Sequence, residues 1–187
     1  SSWNINEVAD LMDCLYGLKV DRWAFSRYVP KEGEEFDVSA EQYYNLLCII
    51  KERHKKWEEK LGVPRQGKDP LWATVYDDYP VYCGTIQGGC MLGSMALTLL
   101  PDNMVRGCRR HAGSVLERWK DGRSLLEIWT NNDRLNEMRQ IHMIEVCNQC
   151  KYLCVCRGCR AVAWAKSKSF YTKDPHCIIA TNLIKRR

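Results

Sequence analysis

Four cysteines stand as two close pairs, Cys147-x2-Cys150 and Cys156-x2-Cys159, within a window of thirteen residues. A C-x2-C turn points two sulfurs at one centre, which suits either tetrahedral zinc or an iron–sulfur cube. Zinc ribbons separate their pairs by about 15 residues so that two knuckles can face each other. Five residues intervene here. So short a gap favours a chain that passes two centres in turn and draws its remaining ligands from far away in sequence. Cys83, Cys90, Cys108 and Cys177 are available for this. Eight cysteines then complete two four-sulfur sites, with Cys154 left over; zinc stays as the alternative.

The whole chain carries eleven cysteines in 187 residues, two before residue 83 and nine from Cys83 to Cys177. Disulfide-stapled proteins with such densities are usually short and secreted, and lean on bridges because they lack a core. With 45% hydrophobic residues, seven tryptophans and nine tyrosines, this chain has material for a core, and an odd cysteine count fits complete pairing poorly. Metal ligation in a reducing compartment is the expectation, and with it a cytoplasmic location. No basic segment followed by an apolar one opens the chain as a secretory signal would. The longest mostly apolar stretch, Gly88 to Pro101, has 14 residues, short of the roughly 20 that a membrane helix needs. The net charge of +5 is dispersed apart from Arg106, Arg109, Arg110 and the last three residues. That is weaker than a nucleic-acid footprint. Neither a nucleic acid nor a membrane is expected as a partner.

The elements that must hold these cysteines differ between the two halves, with turn chemistry at Gly62-Val63-Pro64 and Gly67-Lys68-Asp69-Pro70. The expected division is residues 1–75 and 76–187. In the first part Ile5, Val8, Leu11, Met12 and Leu15 share one helical face. Arg22 to Val29 reads as a strand ending at Pro30, and Ser39 with Gln42 forms a capping box for a long helix to about Lys60. Helix, strand, helix reads as α/β. Cys14 and Cys48 fall in these helices and read as small buried apolar side chains. In the second part Met95–Leu100 and Met104–Val105 read as a hairpin about Pro101-Asp102-Asn103. A second capping box, Ser124 with Glu127, opens a helix through Met138.

The stretch Cys147 to Ala165, CNQCKYLCVCRGCRAVAWA, resembles the SPASM domain, the auxiliary-cluster module at the C-terminus of many radical S-adenosylmethionine (SAM) enzymes. The resemblance extends upstream to Cys90 and to LLPDNMVRGC ending at Cys108, where Asn103 replaces a glycine; Asn also accepts positive φ. It includes Ser114–Glu117 and Ser124–Trp129, and downstream Asp174-Pro175 before Cys177. The helix, strand with RYVP, and Ser-capped helix of residues 1–75 are similar to the last part of the partial (β/α)6 TIM-like barrel that precedes SPASM. The fold class implied is thus the end of that barrel followed by a small α+β domain with a β-hairpin and loops around two clusters.

The resemblance implies two auxiliary [4Fe–4S] clusters. The first takes Cys83, Cys90, Cys108 and Cys159; the second takes Cys147, Cys150, Cys156 and Cys177. Cys154 reads as a free thiol, and Arg109 and Arg160 as candidate donors around the clusters. Radical SAM chemistry starts at a cluster held by C-x3-C-x2-C, a spacing absent from this sequence. With Ser1-Ser2-Trp3 at the start, the chain reads as the C-terminal part of a radical SAM enzyme or one half of a split one. The partner is then an N-terminal radical SAM half, bringing S-adenosylmethionine and a third [4Fe–4S] cluster, with flavodoxin or ferredoxin as reductant. The activity implied is modification of a ribosomal peptide or protein substrate by crosslinking, epimerisation or oxidation, through hydrogen abstraction by a 5′-deoxyadenosyl radical. Sulfatase-maturing relatives carry an aspartate where Arg109 stands, which argues against that activity. Asp77 and Asp78, the acidic candidates for a base, read as a solvated loop. The Cys156-Arg157-Gly158-Cys159-Arg160-Ala161 segment resembles haem-biosynthesis members, which keeps a tetrapyrrole substrate as the alternative. A dicluster electron carrier or a zinc-binding module is the alternative of another class.

Overall fold

The computed structural model describes residues 1–21, 23, 25–31, 34, 35, 37–61, 69–76, 88–120 and 124–185. After a short 3-10 turn comes α1 (Val8–Gly17), and the next helix is the long α2 (Ala40–Leu61). A 3-10 turn, Pro70–Thr74, precedes a small antiparallel sheet of β1 (Thr98–Leu99), β2 (Met104–Arg106) and β3 (Val115–Arg118), paired in that order. Helices α3 (Leu125–Asn131) and α4 (Asp133–Met138) follow, then the cysteine loops, α5 (Arg160–Ser167) and α6 (Ile178–Lys185). Among the described residues no helix is long and apolar enough to cross a membrane.

The Ser39 box is formed: the Gln42 amide donates to Ser39 Oγ at 3.0 Å, and the Ser39 amide donates to Gln42 Oε1 at 2.9 Å. The hairpin closes as the dipeptide chemistry requires, with Asn103 at φ +64 and the Met104 amide donating to Asp102 Oδ1. β2 and β3 slip by one residue between Val105 and Arg106, a bulge that takes up Leu116.

Three expectations differ from the structure. Residues 23 and 25–30 form only an isolated bridge at Phe25, not a strand, and no parallel strands are present among the described residues. A segment becomes a strand only where a second strand takes its backbone groups; here the Arg27 carbonyl accepts from Arg110 Nη1 at 3.0 Å instead. The helix expected from Ser124 to Met138 is two helices. Asn132 ends α3 in an extended conformation, and its side-chain oxygen accepts from the Leu135 amide at 3.0 Å to start α4. Finally, Cys14 is exposed on α1, opposite the face that buries Met12, while Cys48 borders the core.

The packing is continuous across residue 75. One cluster joins Met12 of α1 and Tyr43, Leu46, Leu47 and Ile50 of α2 to Leu71, Trp72 and Val75, and then to Val155 and Cys156 of the cysteine loops. A second gathers Leu92, Leu135, Met138 and Phe170, with Cys90 and Cys108 packed against it. The cysteine loops thus sit between two cores, each of which fixes some of the thiols.

Because Asn132 is a cap for α4, Asn132→Ala should cost about 1 kcal/mol of stability. Urea unfolding would show this as a lower midpoint with an unchanged slope, whereas Ser at the same position should retain most of the stability.

Candidate metal centre

Cys147 and Cys150 lie on one 3-10 turn, entered through Val146 at φ +62 and closed by the Cys150 amide donating to the Cys147 carbonyl at 3.0 Å. Two further turns carry the chain on, with the Leu153 amide bonded to Cys150 O and the Cys156 amide to Tyr152 O. Arg157 and Gly158 then both adopt the left-handed region, at φ +62 and +59. A Cβ at Gly158 would stand 2.4 Å from Asp174 Cβ, so this turn must be glycine. The reversal places Cys159 at the start of α5. Cys177 stands at the start of α6, beyond the loop that packs back over the turn.

These loops bring Cys147, Cys150, Cys156 and Cys177 around one small apolar cavity, with Thr74, Tyr152, Leu153, Arg157, Gly158, Asp174 and Ile179 completing its wall. Cys90 and Cys108 border the second core, and Cys90 is close enough to Cys159 for its charge to act on that thiol. The two groups touch through the backbone, where the Cys90 amide donates to the Cys156 carbonyl at 3.2 Å. Gly89, at φ +71, makes that approach possible, since a Cβ there would lie 2.5 Å from Cys156 O. Cys83, Asp77 and Asp78 lie outside the described residues. Cys154 is partly buried near the second group without lining its cavity.

Every described cysteine is a free thiol. Burial pushes Cys147 up to about 11, opposed by the Arg160 charge. Cys159 is likewise pushed up to about 11 by burial, against the Arg27 charge. Cys156 and Cys177 are raised by burial too. Backbone amides pull the other way: Gly158 N–H donates to Cys156 Sγ at 3.3 Å, and the Ala180 and Ile179 amides at the start of α6 face Cys177. Such N–H donors favour thiolate and tune metal-bound sulfur. Of the expected arginines, Arg160 acts on Cys147 through its charge. Arg160 is buried and donates to the Phe170 and Thr172 carbonyls, and Arg109 is exposed.

Among the described residues no three Cys, His, Asp or Glu side chains converge on the position of a single metal ion. One zinc with 2.3 Å bonds draws its four sulfurs to within about 3.8 Å of one another. Four thiols lining one cavity, with backbone amides facing Cys156 and Cys177, are the donor chemistry that an iron–sulfur cluster uses.

The cysteine loops are held to the first half of the chain by Arg27, which is 5% exposed. Its fork donates to both oxygens of Asp174, at 2.9 and 2.8 Å, and its Nε donates to Asp69 at 3.0 Å. Asp174 in turn accepts from the amides of Cys159 at 2.7 Å and His176 at 3.0 Å. Burial would push the Asp174 carboxyl up, but the Arg27 charge and these hydrogen bonds hold it below the usual carboxylate range. His176 Nδ1 accepts from Arg27 Nη1, which assigns its proton to Nε2, donated to Asp37 at 2.7 Å. Asp174 was legible in the sequence only as part of the segment before Cys177. Arg27 was not singled out, because nothing local marks an arginine whose partner lies 147 residues away.

No protein-family model and no curated protein matches the chain. Solved structures do, and they share its fold over nearly the whole chain. The matches include the anaerobic sulfatase-maturating enzyme anSMEcpe with bound AdoMet and the Cp18Cys peptide, at TM-score 0.60 and 16% identity, covering 98% of this chain and 53% of that one. The same enzyme with AdoMet and the Kp18Cys peptide matches at TM-score 0.61 and 17% identity, covering 98% and 52%. The chain thus spans about half the length of the structures it matches. At this identity the likeness establishes the fold.

Removing one charge of the buried pair leaves the other uncompensated, so Asp174→Asn should cost about 3–5 kcal/mol. The Asp174 carboxyl is depressed in the folded chain, so its contribution is present at neutral pH and is lost only as the pH falls below the usual carboxylate range. Urea unfolding of both chains at matched metal content, at neutral and acidic pH, should show the difference shrinking in acid.

Proposed function

We propose that this chain is the auxiliary-cluster portion of a radical SAM/SPASM enzyme. Cys147, Cys150, Cys156 and Cys177 hold one [4Fe–4S] cluster; Cys90, Cys108 and Cys159, with Cys83, hold the other. The observation that carries this reading is the gathering around one cavity of four thiols from three places in the sequence, while Cys159, three residues past Cys156 at the N-terminal cap of α5, does not line it. Bound there, such clusters supply electron transfer or a ligation point for substrate. The chain's own residues supply the rest: buried loops exclude water, amides set the charge at sulfur, and Arg27 with Asp174 fixes the separation of Cys159 and Cys177.

Radical generation belongs to a separate SAM-binding half carrying its own [4Fe–4S] cluster, on the same or another polypeptide. The substrate class best supported is a peptide, because the matched solved structures hold peptides and AdoMet. Arg109, beside Cys108, distinguishes this chain from sulfatase maturation. Crosslinking, epimerisation or oxidation of a ribosomal peptide is the reaction class we assign, fed with electrons by flavodoxin or ferredoxin.

Anaerobic purification should yield a brown protein with about eight irons and eight sulfides per chain, as two cubes require. Replacing Cys147 or Cys177 by Ala should remove one cluster and replacing Cys108 the other, while Cys154→Ala keeps both. A colourless protein carrying zinc would overturn the assignment.

A further inference from the structure

We propose that Arg157 is a positioning residue that couples the two cysteine groups, fastening the segment that carries Cys90 onto the loop that carries Cys150 and Cys156. The inference rests on the reading above that both groups hold clusters. Arg157 is 3% exposed. Its Nη2 donates to the carbonyls of Gly88 and, at 2.7 Å, of Cys90. Its Nη1 donates to the carbonyls of Cys154 at 2.7 Å and Leu153 at 3.4 Å. One planar fork therefore spans two segments separated by more than sixty residues, a geometry that guanidinium provides and ammonium does not.

The backbone is shaped for this clamp on both sides. The left-handed Arg157-Gly158 turn directs the side chain back over its own loop, and left-handed Gly89 admits the opposing segment. All four described hydrogen bonds of the guanidinium end on neutral carbonyl oxygens. A buried cation with such partners is short of negative charge. The thiols of Cys90, Cys156 and Cys154 are close enough for their charges to favour it. Thiolates bound to metal would supply the missing counter-charge from Cys90 on one side and Cys156 on the other. Docking of the Cys90 segment and occupation of the two groups are thereby linked.

The test compares wild-type chain with R157Q and R157K, each purified anaerobically. Amide hydrogen exchange over residues 88–92 should accelerate about tenfold or more in R157Q, equivalent to losing about 1.4 kcal/mol of docking. R157Q should also lose the cluster assigned to Cys90, and its remaining cluster should have a more negative reduction potential, because a neighbouring cation is gone. R157K keeps the charge without the fork, so its exchange over 88–92 should be fast while the potential stays near wild type. Should R157Q fail to fold, R157K decides: fast exchange confined to 88–92 supports the clamp. Unchanged exchange and unchanged cluster content in the folded variants would overturn it. Wild-type chain without iron and sulfide would instead overturn the cluster reading, leaving the exchange result to judge the clamp.

Discussion

The arrangement of the cysteines depends on one buried ion pair. Arg27 comes from the segment after α1, and Asp174 from the loop before α6. The Asp174 carboxylate accepts from the Cys159 amide and, through its other oxygen, from the His176 amide beside Cys177. One side chain therefore fixes the approach of a cysteine from each proposed ligand group. A carboxylate this deeply buried is tolerated because the Arg27 fork neutralises it and two amides fill its remaining lone pairs. Gly158 must lack a side chain because Asp174 occupies the space a Cβ would take.

A second constraint is the close contact between the Cys90 segment and the turn before Arg157. Gly89 sits against the carbonyls of Val155 and Cys156, and Val155 and Cys156 belong to the same core as Met12, Leu47 and Ile50. Packing in the first half of the chain is thus transmitted to the thiols through a short path of buried residues. Met12, Leu47, Ile50 and Trp72 support the site physically.

What could be read from the sequence follows the range of the interaction concerned. Local chemistry was legible: the Ser39 and Ser124 capping boxes, the left-handed Asn103, the hairpin, and the C-x2-C turn at Cys147 each depend on residues within a few positions. Elements that need a distant partner were misread. The segment around Phe25 has strand composition, yet strand formation requires a neighbour that no local pattern specifies. Asn132, midway through a long apolar periodicity, splits the helix by capping, a choice that competes with continuation. Around the sulfurs, the amide donors to Cys156 and Cys177 were not legible, because their placement requires the folded loops. Arg27 works through carboxylates, and Arg157 in part through the Gly88 and Cys90 carbonyls, that only tertiary structure brings close.

The central question is what the two cysteine groups hold. Anomalous diffraction at the iron absorption edge, from crystals of the chain grown anaerobically, measures this directly. Two separate iron centres are expected, one among Cys147, Cys150, Cys156 and Cys177 and one beside Cys90, Cys108 and Cys159. A single centre, or scattering at the zinc edge with none at the iron edge, would contradict this.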